Sequence, residues 1–304
     1  MTRPRQTSDD TRKQLSTKLR LYWKLIKSLQ TGLLLATGVA GFMSARCPAL
    51  DWRILLSMSG SLFLAISGST VLNMWYDRDI DGKMPRTCRR PLPSGKVSRR
   101  EALLLGLVLS VAGVGWAVAL QPLYGLVVFA GLFIDVVIYT IWLKRRTAWS
   151  IVWGGISGGM PILAGRVLGI AALTGVAQID LIGVLLSLGV LFWIPTHIMT
   201  FNMRYHDDYQ TARVPTFPSA YSFQMTRVTI AASSLAAALT MGGAVFLIGT
   251  TFGYLRLLVV LSTALLLMAI YSVVRPSDRM NFGLFKYASI YMLSLMLLLI
   301  LGAL

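Results

Sequence analysis

Charged side chains are scarce in this chain of 304 residues. They make up 13% of the sequence, whereas hydrophobic residues make up 55%. Soluble domains carry roughly 25% charged residues, so the composition excludes an ordinary soluble domain and indicates a membrane protein. Ten-residue segments of alternating hydrophobicity are absent, which excludes a transmembrane β-barrel. The sequence also lacks a low-complexity linker and a segment suited to a second, soluble domain.

Cysteine and acidic residues are few as well. Cys47 and Cys88 lie far apart and outside any Cys-x-x-Cys pattern, so neither a disulfide framework nor a zinc site is predicted. Only 12 Asp and Glu stand against 29 Lys and Arg, which gives a formal net charge of +17. Because the positive charges lie in short segments between apolar runs, they indicate membrane topology and anion binding, and they argue against nucleic acid as a partner.

Long apolar segments are what the chain does have, and they predict an all-α integral membrane protein, a bundle of nine transmembrane helices. The segments are Leu29–Ala45, Ile54–Leu72, Ala102–Leu120, Leu123–Leu143, Ile151–Leu173, Ile179–Phe201, Val228–Ile248, Leu255–Val274 and Leu284–Leu304. The fifth is interrupted by glycines, which in membrane helices often mark close packing. We expect residues 1–27 to form a basic cytoplasmic tail, too polar for a signal peptide, and residues 28–304 to form one transmembrane domain.

The distribution of Lys and Arg predicts the topology. Twenty-five of the 29 lie in the N-terminal tail or in the segments after spans two, four, six and eight. Cytoplasmic loops carry the excess of positive charge, so these segments and the N-terminus are expected in the cytoplasm of a plasma-membrane protein. Nine spans then place the C-terminus outside.

Two acidic motifs stand at ends of spans on that same side. Asn73, Asp77 and Asp81 fall at i, i+4 and i+8, which on a helix forms one stripe, and a basic run follows up to Arg100. Charged residues at helix ends are usually just solvated. Carboxylates beside so many cations, however, are what a site needs to hold a divalent metal and a polyanion together, since Mg²⁺ takes carboxylate and phosphate oxygens. Asp79 is off the stripe and could be solvated or paired with a neighbouring cation.

The second acidic motif is Asp207-Asp208, within Tyr205-His206-Asp207-Asp208-Tyr209 at the end of span six. In a closed bundle the two motifs can face one another and bind metal ions that bridge a diphosphate. Arg and Lys between them, including Lys144 at the end of span four, could neutralise the remaining charge, or Lys144 could be only a topological anchor. The sequence does not decide which of Asp207 and Asp208 meets the metal.

Three polar residues lie inside apolar spans, where they are costly and often functional. Asp135, in span four, should face the bundle interior. His197, in span six, could bind an acceptor molecule or form a hydrogen bond between helices. Arg166, in span five, has the same two interpretations.

At these motifs the sequence resembles the UbiA superfamily of intramembrane prenyltransferases. Asn73, Asp77 and Asp81 correspond to the first acidic motif of that superfamily. The stretch Asp77-Arg78-Asp79-Ile80-Asp81, with Met84, Arg86-Thr87 and Arg90-Pro91, is more specifically similar to the protoheme IX farnesyltransferase (haem O synthase) family. Tyr139-Thr140-x-Trp142-Leu143-Lys144-Arg145-x-Thr147 and Asp207-Asp208-Tyr209 are similar to other segments of it. The sequence departs from that family around His197, where Thr196 and Ile198-Met199 replace its usual residues.

The resemblance implies Mg²⁺-dependent transfer of a farnesyl group from farnesyl diphosphate to haem B, giving haem O and diphosphate. It implies metal binding by Asp77, Asp81 and one or both of Asp207 and Asp208. Arg86, Arg90 and Lys144 would bind the diphosphate, Asn73 would orient the first carboxylate or ligate directly, and His197 would contact the acceptor.

Two other functions are compatible with the same residues. The acceptor could be an aromatic ring, a quinone precursor or a lipid glycerol. An anion transporter could use a similar cationic pocket, but transporters tend to place their polar groups near the membrane midplane. Here the acidic and basic clusters lie at the ends of spans, which favours an enzyme.

Overall fold

The computed structural model describes residues 8–46 and 51–302, and in this part of the chain helices joined by loops and turns are present, without strands. The helices are α1 (Ser8–Leu25), α2 (Ser28–Met43), α3 (Trp52–Tyr76), α4 (Arg78–Asp81), α5 (Arg99–Leu120), α6 (Pro122–Phe133), a π-helical segment (Ile134–Leu143), α7 (Ser150–Thr174), α8 (Leu181–Arg204), α9 (His206–Thr211), α10 (Phe217–Ala220), α11 (Phe223–Ile248), α12 (Phe252–Val274) and α13 (Asp278–Leu301). The predicted all-α bundle is confirmed.

Eight helices in the described residues are each long and apolar enough to cross a membrane, with α6 and the π-helical segment counted as one, and the number is nine if the bent pair α1–α2 forms a single span. The fifth predicted span is one continuous helix, α7, despite its glycines. Most of the predicted N-terminal tail forms α1, which meets α2 at an angle of 56°. Lys27 lies at this bend with a left-handed φ of 45°.

Apolar side chains cover the outside of the bundle. On α5, for example, Leu104, Val108 and Val111 lie on one face and are more than half exposed. In water such a stripe would be buried against another element, but lipid tails are as apolar as leucine and can cover it. The exposed stripe is therefore the lipid-facing surface of a membrane helix.

The interior consists of two groups of helices that meet at α7. Helices α2, α3, α5, α6 and α7 pack together in the first group, and α8, α11, α12 and α13 in the second. The two groups have separate apolar cores, which include Leu62, Tyr124 and Val167 in the first and Leu186, Met241 and Tyr291 in the second. Contacts of α7 with α8 and of α2 with α13 join the groups around a central cavity.

Glycines on α2 and α7 let these two helices approach closely. A Cβ atom added to Gly165 would lie 1.9 Å from the carbonyl oxygen of Gly38, and one added to Gly41 would lie 2.0 Å from that of Ile162. Neither distance is sterically allowed, so only glycine fits at these two positions. The glycines of the fifth span thus mark close helix packing, as the sequence predicted.

Candidate active site

A cavity of about 810 Å³ lies between the two groups of helices. This volume is within the range of small-molecule sites. At one end the loop after α3, Lys27 at the α1–α2 bend and Lys144 after the π-helical segment line it with charged residues, and we call this the charged end. The loop after α8 adds uncharged residues to the same lining. Its interior is lined mainly by apolar and aromatic side chains of α2, α3, α7, α8 and α13.

The loops after α3 and α8, which carry the two acidic motifs, pack against each other at the charged end. Ile80 and Met84 of the first loop form a small buried cluster with Ala212 and Val214 of the second. Close by, the guanidinium Nε of Arg86 lies 3.6 Å from Asp208 Oδ2. The expectation that the motifs face one another therefore agrees with the structure.

Asp77 and Asp81 are buried at the charged end and line the cavity. Lys144 donates to Asp77 Oδ2, and Arg90 donates to Asp81 Oδ2 over 2.8 Å. Asp77 Oδ1 is buried without a hydrogen bond, although the Nη2 of Arg145 lies 3.7 Å away. A buried carboxylate oxygen without a hydrogen-bond donor is a vacant acceptor that a cation or a donor group would satisfy.

Four cationic side chains line the charged end of the cavity: Lys27, Arg86, Arg90 and Lys144. Burial disfavours the charge of Lys144, but the negative charge of the Asp77 carboxylate and its hydrogen bond favour that charge, and the pKa of Lys144 is raised above the ordinary value. Lys144 therefore remains charged at neutral pH. Four cations around two carboxylates leave an excess of positive charge, which suits a polyanion such as diphosphate.

Asp79 points away from the cavity. It is half exposed and accepts two hydrogen bonds from the Arg145 guanidinium, at 2.8 and 2.7 Å. The hydrogen bond from Arg145 is the main reason that the pKa of Asp79 is lowered. This bidentate pair resolves the question that the sequence left open, because Asp79 pairs with Arg145, not with a cation of its own loop.

Asn73 turns its amide toward Asp135 and not toward Asp77. Its Nδ2 donates to Asp135 Oδ2 over 2.7 Å, and its Oδ1 accepts from Thr140 over 2.9 Å. Ser69, one helical turn earlier, also donates to Asp135 Oδ2, over 2.5 Å. Asp135 lines the cavity, as expected for a carboxylate within a span.

The π-helical segment determines which residues of the fourth span reach the cavity. Asp135, Tyr139 and Lys144 all line it. In an α-helix the separation of nine positions between Asp135 and Lys144 would correspond to two and a half turns, so these two side chains would point in opposite directions. The i→i+5 bonds of a π-helix, of which Lys144 N to Tyr139 O is one, widen the turn, so the same separation corresponds to about two turns.

His197 lies deeper, among aromatic side chains of the cavity wall. Its ring stacks between Trp193 and Phe285, with centroids 4.9 and 4.6 Å away. Its Nδ1 shares a hydrogen bond of 3.2 Å with the Ser289 hydroxyl. Within the described residues no group is hydrogen-bonded to Nε2, so this nitrogen is available to a ligand.

The other predicted site residues lie elsewhere. Asp207 is exposed, and neither it nor Asp208 lines the cavity, although Asp208 borders it through Arg86. Arg166 is structural: it pairs with Asp180 over 2.6 Å and donates to the carbonyl oxygen of Ser44, outside the cavity lining.

The carboxylates at the charged end suit Mg²⁺ without forming a complete metal cage. In the part of the chain that the structure describes, no three Asp, Glu, His or Cys side chains are close enough to hold a metal. Mg²⁺ commonly binds proteins through one or two carboxylates and completes its shell with water and substrate phosphates. Asp77 and Asp81, with the vacant Asp77 Oδ1, provide such a partial set.

Sequence reasoning missed several residues of the cavity wall. Lys27 is one of eight Lys and Arg in the basic tail, and no sequence signal separates it from the others. Ser69 extends the stripe of Asn73, Asp77 and Asp81 by one turn, so its spacing could have revealed it. Trp193 and Ser289 flank His197 only in the folded bundle, and Ser289 comes from a distant span.

Comparisons with known proteins agree with this arrangement. Residues 34–295 match the model of the UbiA prenyltransferase family. A protoheme IX farnesyltransferase of Korarchaeum cryptofilum is 41% identical, with 69% of each chain covered. One of Desulforudis audaxviator is 33% identical, with 91% of this chain and 86% of that protein covered.

A solved structure shares the fold. It is a UbiA homolog from Archaeoglobus fulgidus bound to GPP and Mg²⁺, with a TM-score of 0.66 at 15% identity, and the match covers 92% of this chain and 99% of that one. The charged cavity thus lies in a prenyltransferase fold, and the chain belongs to the UbiA prenyltransferase family and, within it, to the protoheme IX farnesyltransferases.

Proposed function

We propose that this prenyltransferase transfers the farnesyl group of farnesyl diphosphate to a vinyl group of haem B, in a Mg²⁺-dependent reaction that gives haem O and diphosphate. One observation carries the proposal: a single cavity joins a cation-rich end with two buried carboxylates to an aromatic interior that presents His197. Its relatives are named for the same transfer, and a structural neighbour binds a prenyl diphosphate with Mg²⁺.

The charged end would bind the diphosphate. Asp77 and Asp81 would hold Mg²⁺, and Asp208 would join them through the bound diphosphate, with Asp207 less suited because it is exposed. Arg86, Arg90 and Lys144 would contact phosphate oxygens, Arg in bidentate fashion. Without substrate, these three cations pair with the same carboxylates. When Mg²⁺ and diphosphate bind, each carboxylate would pair with the metal and each cation with a phosphate oxygen.

Charge develops at this end when the allylic C–O bond breaks. Bound Mg²⁺ would neutralise negative charge that accumulates on the leaving diphosphate. Arg and Lys side chains fixed at the same place stabilise that charge more in the transition state than in the ground state. The apolar lining further in shields the allylic cation from bulk water, which favours attack by the acceptor over hydrolysis.

The aromatic interior would bind the acceptor. The Ser289 hydroxyl at Nδ1 fixes the His197 ring, and its Nε2 would bind haem iron, as proximal histidines do. Trp193 and Phe285 hold the ring in place by stacking on its two faces.

We further propose that the protein lies in the plasma membrane with the charged end facing the cytoplasm. This orientation is supported by the basic segments around that end, which alternate along the chain with weakly charged ones.

An acceptor panel tests the proposal. Purified protein with farnesyl diphosphate and Mg²⁺ receives haem B, 4-hydroxybenzoate or a glycerol phosphate lipid in separate reactions, and products are identified by mass. We expect farnesylated product with haem B alone. Product from an aromatic or lipid acceptor but not from haem B would move the function to that acceptor.

A further inference from the structure

The carboxylate of Asp135 is not among the groups assigned to the diphosphate, yet it lines the same cavity. It is held by Ser69 and Asn73, and both bonds go to Oδ2. No other described side chain is hydrogen-bonded to Oδ1 of this residue. One oxygen of a fixed intramembrane carboxylate is therefore free to act on a bound molecule, and an ionisable residue within a membrane span is costly and usually functional.

Helix geometry places Asp135 about one to two helical turns further into the cavity than Asp77. Ser69, Asn73 and Asp77 follow one another at four-residue intervals on α3, and each interval corresponds to about 6 Å along the axis. Asp135 is bonded to the first two, so it lies roughly 6 to 12 Å further into the bundle than Asp77. The farnesyl C1 is bonded to the diphosphate at the charged end, so the new carbon–carbon bond forms at about the level of Asp135.

The reaction releases a proton at this level. The vinyl group uses its π electrons to form a bond to C1, and the diphosphate leaves with the electrons of the C–O bond. The neighbouring vinyl carbon is then a cation, conjugated with the macrocycle. A water molecule adds its oxygen to this carbon and must lose one proton to complete the hydroxylated product.

We propose that Asp135 is a catalytic residue that accepts this proton at Oδ1, an inference that rests on the proposed function. Positioned general bases contribute about 10²- to 10⁴-fold to a rate. Asn73 has a positioning role in this scheme, because its Nδ2 holds Asp135 while Thr140 holds its Oδ1. The wide turn of the π-helical segment places Asp135 and Lys144 on the same cavity. The same segment thus positions Lys144 to bind the leaving diphosphate and Asp135 to accept the proton.

Asp135→Asn tests the proposal, since asparagine retains an oxygen for the bonds from Ser69 and Asn73 but is not a base. We expect the farnesyl diphosphate Kd to stay within about twofold and kcat with haem B to fall about 100-fold or more. Residual product should shift toward a form lighter by one water, because the longer-lived cation loses a carbon-bound proton. Asp135→Glu should restore part of the rate. The control is Asp79→Asn, because Asp79 is a half-exposed carboxylate outside the cavity. This variant should keep parental turnover.

Three results would overturn the inference or its basis. Parental kcat and product in Asp135→Asn would exclude a role as base. A loss of farnesyl diphosphate binding in that variant would show instead that Asp135 positions the donor. Failure of the parent protein to farnesylate haem B would overturn the proposed function itself. This outcome is distinct from a failure of the Asp135 inference, because it is seen in the parent protein without any substitution.

Discussion

At the scale of single residues, the site depends on which carboxylates face the cavity. Asp77 and Asp81 are buried in it, whereas Asp79, between them in sequence, is half exposed and bound to Arg145. Two of these three neighbouring aspartates are therefore buried at the site and one is outside it. Substitutions of Asp79 thus serve as a control for substitutions of Asp77 and Asp81.

We expect Asp77→Ala and Asp81→Ala each to lower turnover at least 100-fold without unfolding the protein, because a metal ligand contributes several kcal/mol to the transition state. Asp79→Ala should keep turnover within about threefold, since a half-exposed ion pair contributes little. Initial rates, with thermal unfolding in detergent as the folding check, measure both. Near-parental rates for Asp77→Ala or Asp81→Ala would contradict the metal-site assignment.

His197 provides a second test at this scale. His197→Ala should weaken haem B binding by more than about tenfold, because an axial ligand is lost, and Ser289→Ala should weaken it less, because only the support at Nδ1 is lost. Farnesyl diphosphate affinity should not change in either variant, since the charged end is intact. Haem titrations followed by the Soret band measure the effect, and unchanged haem affinity in His197→Ala would exclude iron ligation.

At the scale of elements, the α2–α7 contact shows what close packing requires. Gly165→Ala would force a Cβ into the Gly38 carbonyl and should destabilise the bundle by about 1–3 kcal/mol. Gly242→Ala is the matched control: Gly242 also lies within a membrane helix, and a Cβ there meets nothing within 4 Å. It should be neutral or slightly stabilising. Equal thermal stability of the two variants would contradict the packing argument.

The sequence predicted the helices well because each needs only a local signal, a run of apolar residues. Eight of the nine predicted spans correspond to helices long and apolar enough to cross a membrane, the fourth of them as α6 continued by the π-helical segment. The first corresponds to α2, which passes that test only together with α1 from the predicted tail. The stripe of Asn73, Asp77 and Asp81 was also predictable, because helical spacing is local.

Contacts between distant parts of the chain could not be predicted: Asn73 is hydrogen-bonded to Asp135, and His197 to Ser289, 92 positions away. The π-helical segment has no recognisable sequence signal, so the alignment of Asp135 with Lys144 could not be predicted.

At the scale of the whole molecule, topology determines which compartment supplies the substrates. We predict a cytoplasmic N-terminus and an external C-terminus, because 25 of 29 Lys and Arg lie in alternate segments. The two cysteines report on opposite sides, since Cys47 lies between spans one and two and Cys88 lies after span two. An impermeant maleimide on intact cells should label a Cys88→Ser variant through Cys47, and inside-out vesicles should be needed to label a Cys47→Ser variant through Cys88.

Labelling of both cysteines from the same side would contradict this topology. Because Cys88 is partly buried, denatured samples provide the reference for full labelling.

The central claim is that one cavity brings farnesyl diphosphate and haem B together for Mg²⁺-dependent transfer. The most direct measurement is a single-turnover reaction of purified protein with both substrates, in which farnesylated haem is quantified by mass and released diphosphate is counted. The account predicts one diphosphate for each farnesylated haem, no product when Mg²⁺ is chelated, and recovery when it is restored. Diphosphate release without farnesylated haem, or equal product after chelation, would contradict it.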